Sequence, residues 1–138
     1  MHATNYAESA IGSALFLNQA LPSITEWHIA LFTAASNPET GTGTEVNATN
    51  TGYARQPLNP GANWAKRPDP DVDERTVFYN AVAAQFPAAT MNWGTVTHFG
   101  LIDQSGNCWI MAPLTTAKII GVGEVPIFLA GELEIAIG

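Results

Sequence analysis

The sequence predicts a mainly β protein: a single-domain antiparallel β-sandwich or jelly-roll-like fold with a short N-terminal helix. Three observations carry this. Short stretches rich in aromatic and β-branched residues recur between clusters of Gly, Pro, Asn and Asp. The C-terminal stretch Glu132-Leu133-Glu134-Ile135-Ala136-Ile137 alternates with period two, as a half-buried strand does. The best helical pattern stands alone at the N-terminus instead of alternating with strands, which argues against a parallel α/β sheet. At 138 residues, 46% of them hydrophobic, the chain can fill one core and has little room for two. Residues 1–26 read as an N-terminal arm with the helix, and residues 27–138 as the β-sandwich domain.

The helix is expected from Asn5 to Leu21. Ala7, Ala10, Ile11, Ala14 and Leu15 fall at helical spacing, Thr4 or Asn5 offers an N-cap, and Pro22 ends the run. Trp27-His28-Ile29-Ala30-Leu31-Phe32-Thr33 reads as a buried strand, and the Asn-, Thr- and Gly-rich stretch from Ala34 to Gly52 as loop. Tyr53 to Leu58 is a further strand, with Pro57 marking an edge or an end. Residues 59–75 hold three prolines and much of the charge, and read as an exposed excursion. Thr76 to Phe86 returns to strand composition. Thr95 to Ile102 and Cys108 to Met111 make a hairpin around Asp103-Gln104-Ser105-Gly106-Asn107. Lys118 to Ile120 and Val125 to Leu129 are expected to pair across a Gly-Val-Gly-Glu turn, and the alternating segment closes the fold.

Twelve acidic and five basic residues give a net charge of −7, and charged residues are only 12% of the chain. Nucleic-acid binding and docking on anionic lipid need clustered Lys and Arg, so neither partner is expected. No apolar stretch approaches the roughly 20 residues of a membrane span, and no charged n-region precedes an apolar h-region. The sparse charge is read as surface that meets other protein.

The searches for reactive chemistry yield no active site, and no cofactor is expected. Asp69-Pro70-Asp71-Val72-Asp73 opens like an EF-hand loop, but the sixth and twelfth positions hold Glu74 and Asn80 where Gly and Glu are required. His2, His28 and His98 show no paired metal-ligand spacing. His98, Asp103 and Ser105 are triad residue types, yet they share one strand and its turn and lack a nucleophile elbow. Cys108, the only cysteine, reads as a small core residue. The candidate interface residues are Tyr53, Arg55, Trp64, Lys66 and Arg67. Loop aromatics such as Tyr53 and Trp64 either anchor an interface or fold back over the core, with carbohydrate stacking as a third use.

Several blocks occur in a telling order: Ile29-Ala30-Leu31-Phe32-Thr33, Gly43-Thr44-Glu45-Val46, Gly52-Tyr53-Ala54-Arg55-Gln56-Pro57 and Phe86-Pro87-Ala88-Ala89-Thr90. Asn92-Trp93-Gly94-Thr95-Val96-Thr97-His98-Phe99-Gly100 and Leu114-Thr115-Thr116-Ala117-Lys118 follow. From Trp27 onward the chain resembles a family of small virion proteins of tailed bacteriophages, described as tail-fibre-like or capsid decoration proteins. The N-terminal segment and the long excursion depart from that pattern.

The resemblance implies a structural virion role and no enzymatic one. The first expectation is a capsid cement protein on the exterior of the shell. It would be a homo-oligomer, with a trimer favoured, that binds the major capsid protein across capsomer junctions. The alternative is a tail or tail-fibre component involved in host adsorption. A small hydrolase is the third reading, and no residue constellation supports it.

Overall fold

The computed structural model describes residues 3–138, so His2 lies outside the described residues. Helix α1 (Asn5–Phe16) is followed by ten strands: β1 (His28–Asn37), β2 (Thr42–Glu45), β3 (Gln56–Pro57), β4 (Trp64–Lys66), β5 (Thr76–Asn80), β6 (Ala84–Gln85), β7 (Gly94–Ile102), β8 (Cys108–Ile120), β9 (Ile127–Phe128) and β10 (Glu134–Ile137). All pairings are antiparallel. The large sheet runs β2-β1-β7-β8, with β3 also paired to β1, while β10-β5-β4 and β6-β9 form two small sheets. The fold is thus the mainly β, single-domain architecture expected.

The core lies between the large sheet and the small ones. Ile29, Leu31, Val96, Phe99 and Leu101 point inward from the large sheet and meet Phe86, Phe128, Leu133 and Ile135. On the opposite face Ala30, Phe32, Ile102 and Met111 form a second cluster with Cys108. The 3-10 turn Pro38–Thr40 packs near β8, with Gly41 close to the Cys108 side chain and Thr4.

Several boundaries differ from the sequence expectation, each for a local reason. The helix stops at Phe16 because Asn18 adopts a left-handed φ of 54° and Gln19 N–H returns to the Ser13 carbonyl. The supposed loop after Ala34 is a hairpin, with β1 continuing to Asn37 and β2 returning beside it. Gly43 sits in β2 because a Cβ there would fall 2.4 Å from the Ala34 carbonyl oxygen. Only Gln56–Pro57 of the stretch 53–58 is strand, paired with His28 and Ile29. The excursion contains β4, whose residues Trp64 to Lys66 pair with Asn80 to Phe78, so only its outer part is a hairpin turn. The stretch 76–86 breaks after Asn80 into two strands in different sheets. Lys118 to Ile120 pairs with Gly94 to Val96, and Ile127–Phe128 pairs with Ala84–Gln85, so the two segments expected to pair with each other have other partners.

The β7–β8 hairpin forms as expected. Between the pairs Val96–Lys118 and His98–Pro113, β8 carries more residues than β7 and bulges outward at Leu114 to Ala117. The final strand and the turn just before it bury Ile135 and Leu133 and turn Glu134 and Glu132 toward Arg67 and Lys118.

The N-terminus is clamped to β8. Ala3 bridges Ile110, Thr4 N–H donates to the Trp109 carbonyl at 2.9 Å, and Thr4 Oγ1 donates to the Cys108 carbonyl at 2.6 Å. The same oxygen accepts from Ala7 N–H and caps the helix. Ala3 and Ala7 then pack on Trp109 with Ile24 and Trp27.

Candidate interaction surface

The residue types of a hydrolase are present but committed elsewhere. Asp103 is buried. Its Oδ1 accepts from the Ser105 and Asn107 backbone N–H groups at 2.9 Å each, and its Oδ2 accepts from the Trp109 indole N–H at 2.9 Å. Burial works to raise its pKa, but these hydrogen bonds outweigh it and hold the carboxyl below 3.8. His98 Nδ1 shares a hydrogen bond with Thr97 Oγ1 at 2.8 Å. Asp103 therefore builds the turn of the β7–β8 hairpin, and the three triad residue types do not form a nucleophile. Burial pushes the Cys108 thiol up to about 11, which leaves little thiolate at neutral pH. Among the described residues no group of three or more His, Cys, Asp or Glu is placed to hold a metal ion. Asp71, from the acidic run, accepts from the Asp73 and Arg75 backbone N–H groups and pairs with the Arg75 guanidinium, which makes it the organiser of the β4–β5 hairpin.

The five candidate interface residues fall into two groups. Tyr53 and Arg55 converge on Glu45. The Arg55 guanidinium grips the carboxylate at 2.8 and 3.0 Å, and Tyr53 Oη donates to it at 2.6 Å while accepting from Leu31 N–H at 3.0 Å. Burial works to raise Glu45, yet Arg55 and Tyr53 together hold it below 4.5. Burial and the adjacent carboxylate keep the Tyr53 hydroxyl protonated. The Tyr53 ring stacks on Phe86 and meets Trp93 edge-on, so of its two readings the structure has the core one.

Trp64, Lys66 and Arg67 lie together on and just after β4. Trp64 is half-buried and donates its indole N–H to the Leu58 carbonyl at 2.8 Å. Lys66 is exposed, and Arg67 pairs with Glu134 while lying over the Tyr79 ring at 5.3 Å.

Trp64 is one wall of an apolar groove of about 210 Å³, lined also by Trp27, Phe78, Ile110, Ile135 and Ile137. None of its lining residues is ionisable. A larger cleft of about 420 Å³ runs beside the β8 bulge, with Lys118, Glu132 and Glu134 in its walls. Two further apolar features project outward. Leu15, Phe16, Leu17 and Leu21 at the end of α1 and beyond are 72, 84, 65 and 52% exposed. Ile119, Val122, Val125, Ile127 and Leu129 are exposed along the β8–β9 connection.

What the residues assemble, then, is an apolar groove, a wider cleft and two exposed apolar patches. Against known families, residues 2–136 match the model described as Podophage GP4 fiber I protein gp80. The chain belongs to this family. The fiber I family makes the chain a virion protein of tailed phages, in keeping with the resemblance seen in the sequence. Its description as a fibre fits the second of the two virion expectations better than the first. No curated protein matches the chain.

Sequence reasoning missed two features of this fiber I family member. The Glu45 hub was hidden because its partners lie eight and ten residues away across a loop. The exposed helix tip did leave a signal: Ser9 to Thr25 is a run without one ionisable residue, in a chain of net charge −7.

Proposed function

We propose that this chain is a component of the phage tail-fibre apparatus, a β domain that acts through protein–protein contacts and carries no enzymatic activity. The observation that carries this reading is the fiber I family match over residues 2–136. The apolar groove and the exposed helix tip support a contact role, since patches of this kind mark interaction sites on otherwise soluble domains. The domain assembles as a homo-oligomer and needs neither nucleic acid nor membrane as a partner.

Counting copies in purified virions tests the assignment, with antibody label located by electron microscopy. A tail-fibre component is expected at a small number of copies per particle, with label at the tail. A count near that of the major capsid protein, or a simple fraction of it, with label over the shell, would overturn this reading in favour of capsid cement.

A further inference from the structure

We infer that the tip of α1, with the chain just after it, seats in the apolar groove of a second copy of this chain. This deepens the homo-oligomer reading above and rests on it. It does not depend on where in the virion the domain sits.

The arm is a fixed protrusion. Its base is held at one end by Ala3, Thr4 and Ala7 on β8 and at the other by Ile24 and Trp27. From Ala7 the helix carries Phe16 about 14 Å farther along its axis. Phe16 there is the most exposed of the tip residues, and Ala7 is the only fully buried residue of α1. A tip held in place in advance loses little conformational entropy when it docks.

Three arguments select a second copy as the occupant. The first is charge. Two copies of a chain with net charge −7 repel except where both surfaces are neutral, and the tip segment and the groove lining are both without ionisable residues. The second is area. Leu15, Phe16, Leu17 and Leu21 together present roughly 450 Å² at ordinary side-chain sizes. A copy that gives its tip and also receives one covers its groove in addition, which moves the contact toward the about 800 Å² per partner of a stable interface. A one-sided contact with the tip alone would reach only half of that. The third is chemistry. The groove offers aromatic and aliphatic walls, and the tip supplies Leu and Phe side chains to fill it. Trp27 and Ile110 belong both to the groove and to the cluster under the arm's base. A neighbour's tip would therefore continue a core that already exists.

The test uses the full chain and two variants. Phe16→Asp breaks the tip, and Ile137→Asp breaks the groove at a residue 37% exposed. Near-UV circular dichroism of the four tryptophans reports whether each variant is folded. By sedimentation velocity at micromolar concentration the wild type is expected to be an oligomer. Each variant is expected to be a folded monomer, its dissociation constant raised at least about thirtyfold. Mixed in equal amounts at a concentration well above that of the wild-type assay, the two variants are expected to form a 1:1 complex weaker than the wild-type oligomer, since one retains the groove, the other the tip, and a single contact remains. Oligomers that survive both substitutions would overturn the arm-in-groove contact and leave self-association standing. A monomeric wild type would overturn both. A mixture that stays monomeric would overturn the contact. Should Ile137→Asp fail to fold, Leu15→Cys with Ile137→Cys in a Cys108→Ser background decides. An intermolecular disulfide on mild oxidation is expected, and its absence would overturn the contact.

Discussion

At the scale of single residues, Asn80 holds the second layer together. It is fully buried, and its side-chain amide donates to the carbonyls of Val82 and Leu129 at 2.9 and 3.0 Å. Its Oδ1 accepts from Gly131 and Leu133 N–H at 3.1 and 2.9 Å. One side chain thus satisfies backbone groups at the end of β5, after β9 and before β10, where no ladder reaches. Truncation would strand several buried polar groups at once. Asn80→Ala is expected to cost about 3 kcal/mol, read as a lowered urea midpoint at unchanged slope. A loss under about 1 kcal/mol would mean that other groups replace those bonds. The type of residue gave no warning of this role, because an Asn beside a strand end reads as turn chemistry.

At the scale of elements, the arm depends on Thr4. Its hydroxyl caps α1 and reaches across to β8, so Thr4→Ala removes a cap and leaves the Cys108 carbonyl without that donor. A cost of about 1–3 kcal/mol is expected, with faster amide exchange confined mainly to residues 5–26; Thr4→Ser should restore most of it. The clamp on β8 and the stop at Phe16 were not legible in the sequence, while the helix start and its cap were legible. So were the β7–β8 hairpin with its Gly-containing turn and the last strand, whose alternation gave the correct buried face. What could not be read was which strand pairs with which. The stretch Lys118 to Ile120 lies close in sequence to Val125 to Leu129, but its partner is the start of β7, because the β8 bulge carries it back along the same strand. The candidate interface residues show the same limit. Their types left the contact and core readings both open, and burial, a tertiary property, is what separates Tyr53 in the core from Trp64 in the groove.

At the scale of the whole molecule, the ionised state is part of the fold. Asp103 and Glu45 have pKa values lowered from 3.8 and 4.5. A carboxyl depressed in the folded state contributes stability that is complete above its unfolded pKa and lost as pH falls through the folded one. Stability is therefore expected to be flat from pH 7 to about pH 5 and to fall below pH 4.5. The urea midpoint followed against pH checks this. Asp103→Asn should be less stable at pH 7 and show a shallower acid decline. Most of the few cations are held in ion pairs, namely Arg55, Arg67, Arg75 and Lys118, while Lys66 on β4 is exposed.

The pairing of β1 with β7 has a kinetic consequence. His28 lies opposite Ile102 and Phe32 opposite His98, so the central pair of the large sheet joins two ends of a long loop. Closing that loop costs entropy before any contact repays it, and chains of such topology fold in milliseconds to seconds. During synthesis Ile29, Leu31 and Phe32 are made early, yet their partner strand emerges only when three quarters of the chain has been translated. The β7–β8 hairpin is the local unit on which the earlier strand can then condense. Until that moment β1 has partners on one edge only, β2 and β3, and its other edge stays open, which is where a chain still being made is exposed to wrong pairing.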